Sequence, residues 1–192
     1  MTDCTLAALG PEYLNRWRTM TLRPGVREQA NAIATNIIGH QPAYEAVGGG
    51  VPWWWIAAIH HMESDCDFST HLHNGDPLTE RTTHVPSGRP AVGGPPFRWS
   101  DSARDALMIE GLTGIANWPL AASLWRAERY NGFGMRFRGA VSDYLWAGTD
   151  QYTTGKFVAD SVFDPHVVSH RVGIAALWLV MQSRGAFSFP AS

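Results

Sequence analysis

Apolar positions recur at helical spacing along much of the chain, and glycine and proline mark the breaks between the repeats. Glu12 to Met20 reads as a short helix, broken at Pro24–Gly25 in "TLRPG". A second helix runs from Arg27 to Ile38, with Ala30, Ile33, Ala34, Ile37 and Ile38 on one stripe and Gly39 as its cap. "EAVGGG" follows as a flexible connection. Pro52 suits the first turn of a third helix, Trp53 to about Met62, on which Trp55, Ile56, Ile59 and Glu63 share one face. This spacing puts a carboxylate at the C-terminal end of an apolar stripe, where burial disfavours its charged form.

From Cys66 to Trp99 the helical period disappears. Turn residues recur in "HNGDPL", "VPSGRP" and "VGGPP", and a short β-like run from Leu78 to Val85 lies between them. The stretch reads as a small twisted hairpin or loop lobe. Helices resume after Ser100–Asp101, a suitable N-cap pair, through about Leu112, and again from Leu120 to Arg129, stopping at "YNGFG". Met135 to Phe163 is loop-rich. Asp164–Pro165 then opens a long helix closed by Gly185. The expected fold is α+β and mostly α-helical. It forms one domain over residues 1–192, with a β-containing lobe at about 66–99 inserted after the Glu63 helix.

Composition narrows the function classes. Of the 192 residues, 45% are hydrophobic and 17% charged, which fits a globular chain rather than a disordered one. Nine tryptophans supply large apolar faces with one N–H each, suited to a core, a sugar-binding cleft or both. A formal charge of -2 gives no basic surface for nucleic acid. Cys4 and Cys66 make neither a disulfide framework nor a zinc pattern. The first residues lack a secretory signal, and the longest apolar run, "GIAALWLVM", is too short to span a bilayer. A monomeric cytoplasmic product without stable membrane insertion is expected.

Three chemistries fit these residues. A desolvated Glu63 that keeps its proton would be a general acid for glycoside cleavage, protonating the leaving oxygen. Asp76, thirteen residues on and beside the Asn74–Gly75 turn, is the candidate second carboxylate, or an ordinary turn aspartate. Asp65 and Asp67 are too close along the chain to Glu63 to reach across a substrate. Thr82, six residues after Asp76, is placed to help hold a water. Zinc is the second chemistry, with "HLH" and Asp76 as ligands, but neighbouring His60 and His61 diverge on a helix and no HExxH is present. Neither metal nor another cofactor is expected. A Cys66 nucleophile is the third, and a single cysteine carries little weight. The histidines, His73 and His84 among them, then read as cleft-lining or structural, and His73 is assigned to substrate binding.

The "ES" pair at Glu63–Ser64, closing an apolar helix, together with "YNGFG" at Tyr130–Gly134, resembles the goose-type lysozyme and soluble lytic transglycosylase superfamily. At closer range "HLHNGDPLTERTTHVPSGRP", "GGPPFRWSDSARDAL", "ERYNGFG", "YLWAGTDQYTTGKFVAD" and "DPHVVSHRVGIAAL" are similar to a lysozyme-like peptidoglycan hydrolase family of phages and bacterial genomes. The resemblance spans about Tyr13 to Met181. It implies a lysozyme-like fold, Glu63 as general acid, and Tyr130 and Asn131 lining the glycan cleft. The superfamily's usual Gly-Leu-Met-Gln segment is replaced by "HLHNGDPL". Asp76 and Thr82 reproduce the aspartate-to-threonine interval of phage-type lysozymes, whereas Glu63 and Asp76 stand further apart than their counterparts there. The implied activity is that of an endolysin, a muramidase acting on peptidoglycan glycan strands and released through the inner membrane by a holin. A lytic transglycosylase leaving an anhydro product is the alternative, and a noncatalytic glycan-binding or tail-associated protein is a further one.

Overall fold

The computed structural model describes residues 2–159 and 161–191. In chain order the helices are α1 (Leu6–Thr19), α2 (Val26–Gly39), α3 (Gln41–Glu45), α4 (Trp53–Ser64), α5 (Trp99–Ile109), α6 (Leu120–Asn131), α7 (Gly134–Phe137) and α8 (Asp143–Trp146). Strands β1 (Lys156–Ala159) and β2 (Val162–Asp164) precede α9 (Ile174–Ser183). Mostly helical character with a small sheet agrees with the pattern of apolar spacing. The chain divides into two compact units, a boundary that no linker announces. Residues 36–117 form one unit, and the segments up to residue 35 and from residue 118 form the other.

The unit of residues 36–117 is organised around α4. Every residue from Trp54 to Met62 is buried, because the segment is apolar or aromatic on all sides rather than on one stripe. Its polar members are accommodated by partners. His60 Nδ1 meets the Tyr44 hydroxyl at 3.1 Å, and His60 Nε2 meets the Asp67 carbonyl at 3.1 Å. His60, Tyr44, Phe68 and Trp99 stack as one aromatic cluster, with ring centroids 4.6 Å apart for His60–Trp99 and 5.4 Å for Tyr44–Phe68. Gly48, Gly49 and Gly50 all adopt positive φ, so "EAVGGG" is a shaped turn, with Gly114 N–H bonded to the Gly49 carbonyl at 2.8 Å.

In the other unit α1 packs on α6, and α8 packs on both α6 and α9. Trp146, Trp178, Tyr13 and Tyr152 are its largest fully buried side chains. Phe189 stands edge-on to Trp17 at 5.6 Å and to Trp178 at 5.5 Å, tying the C-terminal segment to this core. A carboxylate also lies inside. Glu128 Oε2 accepts from the Tyr13 hydroxyl at 2.5 Å and from Arg136 Nη2 at 2.8 Å, and Arg136 Nη1 reaches Glu12 at 2.8 Å. The paired guanidinium and phenol are what make a fully buried glutamate tolerable.

Three expectations need correction. The stretch from 66 to 98 holds no strand, only an isolated bridge between Thr70 and Pro77; among the described residues the one sheet is the antiparallel β1–β2 hairpin. Prolines 77, 86, 90, 95 and 96 remove the donors that a ladder needs. The remaining donors are met by irregular backbone turns, such as Leu78 N–H to the Ser69 carbonyl at 2.9 Å, and by side chains, as described below. Second, the C-terminal helix begins at Ile174 and not at Asp164, which pairs with Lys156 in the hairpin. The Asp164 carboxylate does accept a nearby N–H, that of His166 at 2.8 Å, but it closes a turn instead of capping a helix. Third, α5 starts at Trp99 without a side-chain cap, so Ser100 and Asp101 lie inside it. Gly185, by contrast, closes α9 at φ 69 as its position predicts.

Candidate active site

Glu63 occupies the last turn of α4, half-buried where the helix emerges from its buried run. It therefore sits beyond the fully enclosed positions that its stripe predicted. The backbone turns abruptly after it. Asp65 and Cys66 both take left-handed conformations, φ 52 and 65, a strained arrangement for two consecutive non-glycine residues. Their N–H groups hold it closed, Asp65 to the His61 carbonyl at 3.0 Å and Cys66 to the His60 carbonyl at 3.3 Å.

The following loop then returns against the helix end. His71 N–H bonds the Asp76 carbonyl at 2.6 Å, Gly75 N–H bonds the His71 carbonyl at 2.9 Å, and Asn74 Oδ1 accepts the Asp76 N–H at 3.1 Å. Gly75 has φ +78, and a Cβ there would stand 2.9 Å from the carbonyl oxygen of Glu63. Only glycine meets both conditions. The Asn-Gly turn that the sequence signals thus packs directly on the residue expected to do the chemistry.

Asp76 is buried, and its carboxylate is taken up within the loop. Oδ2 accepts the N–H groups of Thr83 at 2.7 Å and His84 at 3.0 Å; Oδ1 meets His84 Nδ1 at 2.6 Å. Burial works against the ionised form, but the His84 N–H and ring and the Thr83 N–H outweigh it and hold the carboxyl at about 2. Thr82 is likewise engaged, donating to the Pro86 carbonyl at 2.5 Å and accepting the Arg89 N–H at 2.9 Å. Asp76 is bonded to Thr83 and His84, the residues that follow Thr82. Both side chains brace the 82–89 turn.

His73, assigned to substrate binding from the sequence, lies inside the unit with its side chain fully enclosed. Nε2 meets Asp105 Oδ2 at 2.9 Å, and Arg89 Nε donates to the same oxygen at 2.9 Å, with a second Arg89–Asp105 contact beside it. Burial lowers the His73 pKa, against the pull of Asp105. Ser102 links this group to His71, whose Nδ1 lies at 2.7 Å, while His71 Nε2 meets the Glu80 carbonyl at 2.8 Å. Asp105 and Arg89 were not anticipated. The available signal was Ser102 and Asp105, three residues apart on a helix, both within its otherwise apolar buried face.

His71 and His73 share the Ser102 hydroxyl, at 2.7 and 3.5 Å, and among the described residues no three histidine, cysteine or acidic side chains converge as a metal site. Cys66 is buried, and its thiol is pushed up to about 11 by burial. A thiol so held stays protonated at neutral pH and is a poor nucleophile.

Tyr130 and Asn131 end α6 in the other unit. Tyr130 is half-buried, Asn131 exposed. Asn131 lines a groove of about 360 Å³ with Gly132, Gly134 and the β1–β2 hairpin residues Phe157 and Ser161. Gly134 lets the hairpin approach, since a Cβ there would come within 3.2 Å of the Phe157 ring. Among the described residues no helix is long and apolar enough to cross a membrane. Compared with protein-family profiles, curated proteins and solved structures, the chain has no match.

Proposed function

We propose that the protein cleaves the β-1,4 bond between N-acetylmuramic acid and N-acetylglucosamine in peptidoglycan, with a lysozyme-like fold and Glu63 as general acid. The observation carrying this reading is the placement of Glu63. A carboxylate closes an otherwise buried helix, is itself half-buried, and is backed by a glycine turn that admits no side chain. A partly desolvated carboxyl on a backbone held in place is suited to protonating a glycosidic oxygen as oxocarbenium character develops. The resemblance of the "ES" and "YNGFG" segments to lytic enzymes supports the same role, with Tyr130 and Asn131 as glycan contacts.

The bond can be broken in two ways. In hydrolysis, Asp76 and Thr82 would position the attacking water. In the intramolecular route, the muramoyl 6-hydroxyl attacks C1 as the C1–O4 bond breaks. Glu63 gives its proton to O4 and recovers one from O6, leaving an anhydro sugar. The bracing of Asp76 by Thr83 and His84, and of Thr82 by Pro86 and Arg89, favours the second route, which needs no further carboxylate.

Purified peptidoglycan digested by the wild type and by Glu63→Gln tests both points. The variant is expected to lose about 10²–10⁴-fold in rate, the usual worth of a general acid. Equal clearing by the two proteins would sink the assignment, and undiminished glycan binding alone would make the chain a noncatalytic binder. Mass spectrometry of the fragments decides the route. Anhydro-muramoyl ends support intramolecular attack, and reducing ends return the water to Asp76.

A further inference from the structure

The unit formed by the two ends of the chain carries a second concavity, of about 230 Å³, between the start of α2 and the segment leading into α9. Its polar lining is one-signed. Arg23, Arg171 and His170 line it together with Gln29 and Ser169, and no acidic residue is among the lining set. In a chain whose formal charge is -2, two arginines and a histidine around one hollow are a local reversal of sign.

The backbone adds to this. Pro24 and Val26 also line the hollow, so the start of α2, a helix of 14 residues, opens on it with the positive end of its dipole, although the Val26 N–H is bonded to the Arg23 carbonyl at 3.2 Å and Glu28 stands in the same first turn. Val26 can come this close to the opposite wall only because residue 148 is glycine. Gly148 has φ +82, and a Cβ there would lie 2.9 Å from the Val26 side chain. Arg23 is held in place by its own bonds, Nε to the Thr149 carbonyl at 3.0 Å and Nη2 to the Tyr152 carbonyl. A guanidinium oriented by two carbonyls brings its charge to the hollow at little further cost in freedom.

One more group is independent of charge. Ser169, only 4% exposed, carries a hydroxyl that is buried without a hydrogen-bond partner, although its own N–H is satisfied by the Tyr152 hydroxyl at 2.9 Å. Buried hydroxyls are ordinarily paired, and an unmet one in the wall of a cationic hollow points to a ligand oxygen.

From these features we propose that the hollow is a binding site for a phosphate group, held by the α2 N-terminus, Arg23 and Arg171. Helix N–H groups and arginine forks both match the oxygens of a phosphate. This site is separate from the Glu63 chemistry and does not depend on it. The phosphate is that of a free phosphate or phosphomonoester, or that of an anionic lipid headgroup.

Calorimetric titration of the full chain with inorganic phosphate, at ionic strength held constant with chloride, tests the site. Saturable binding with one phosphate per chain is expected. Gln29→Glu, an exposed substitution compatible with the helix, is expected to weaken it by about tenfold, and Gln29→Lys to tighten it. Arg171→Gln should weaken it too. Thermal melts without phosphate confirm that each variant is folded. Sedimentation with vesicles carrying anionic phospholipid, against neutral vesicles, separates the two sources: co-sedimentation that Gln29→Glu abolishes assigns the lipid headgroup, and its absence beside saturable phosphate binding assigns the free group. No saturation above the chloride control, or binding indifferent to Gln29→Glu and Arg171→Gln alike, overturns the proposal.

Discussion

At Asp76 the carboxylate accepts from Thr83 and His84, and its role is legible from those bonds. Its folded pKa of about 2 lies below the ordinary 3.8, so the ionised form stabilises the fold. That contribution is complete above pH 3.8 and is lost as pH falls through about 2. Asp76→Asn is therefore expected to cost about 2 kcal/mol at neutral pH. The gap from wild type should close in acid, as read by denaturant melts across pH. If Asp76 braces the loop and does no chemistry, residual activity follows the folded fraction. A large loss of turnover in fully folded Asp76→Asn would restore its catalytic role. His60 behaves differently. Burial pushes its pKa down to about 4 from 6.5, so it enters the fold neutral, and stability should decline as pH falls from 6.5 towards 4. The loss is on the order of 2–3 kcal/mol. A flat melting temperature over that interval would contradict the burial account.

Helix ends, more than helix interiors, set the layout at the scale of elements. The C-terminus of α4 is turned by Asp65 and Cys66 and then met by Gly75, so the Glu63 position is defined by backbone on two sides. The start of α9 is built more tightly still. A Cβ on Gly173 would lie 2.7 Å from the Leu145 carbonyl oxygen and 2.8 Å from the Ala147 nitrogen, both main-chain atoms that follow or end α8. Gly173→Ala has no flexible side chain to displace. It is expected to destabilise the protein by roughly 1–3 kcal/mol, the range for overpacking a close contact. Thermal unfolding checks this, and an unchanged midpoint would mean that α8 and α9 can separate freely. The helix read from Asp164 onward begins only after this contact, at Ile174. Its apolar residues follow, and α9 lies beside α8.

For the molecule as a whole, the charge balance and the fate of its histidines bear on cofactor chemistry. His60, His71, His73 and His84 meet a carbonyl, a hydroxyl or a carboxylate, with His71 and His73 sharing the Ser102 hydroxyl. On the proposed function, lysis of peptidoglycan is expected to survive exhaustive chelation at full rate. Activity lost to chelator and restored by zinc would place the chemistry on a metal.

Most of the longer helices, the Asn74–Gly75 turn, the closing Gly185 and the position of Glu63 at a helix end were readable from local pattern, whereas the short α3, α7 and α8 and the start of α9 were not. The readable features depend on residues within a turn or two of one another, so spacing carries the information. The partners of Asp76, Thr82 and His73 were not readable in this way. They are Thr83, His84, Arg89, Ser102 and Asp105, and they meet through a proline-rich loop without period. There irregular backbone turns and side chains together, not a ladder, satisfy the backbone, and no spacing rule encodes which groups pair. The division at residues 35/36 and 117/118 was hidden for a related reason. The first boundary falls inside α2, whose apolar stripe continues unbroken across it, and the second in the connection between α5 and α6, so only tertiary packing separates the units. Local sequence determined where helices and turns form and left a carboxylate at the end of one. Tertiary contact decided which polar groups meet Asp76, Thr82 and His73, because those partners come from the turns of the loop and, at Asp105, from a helix distant along the chain.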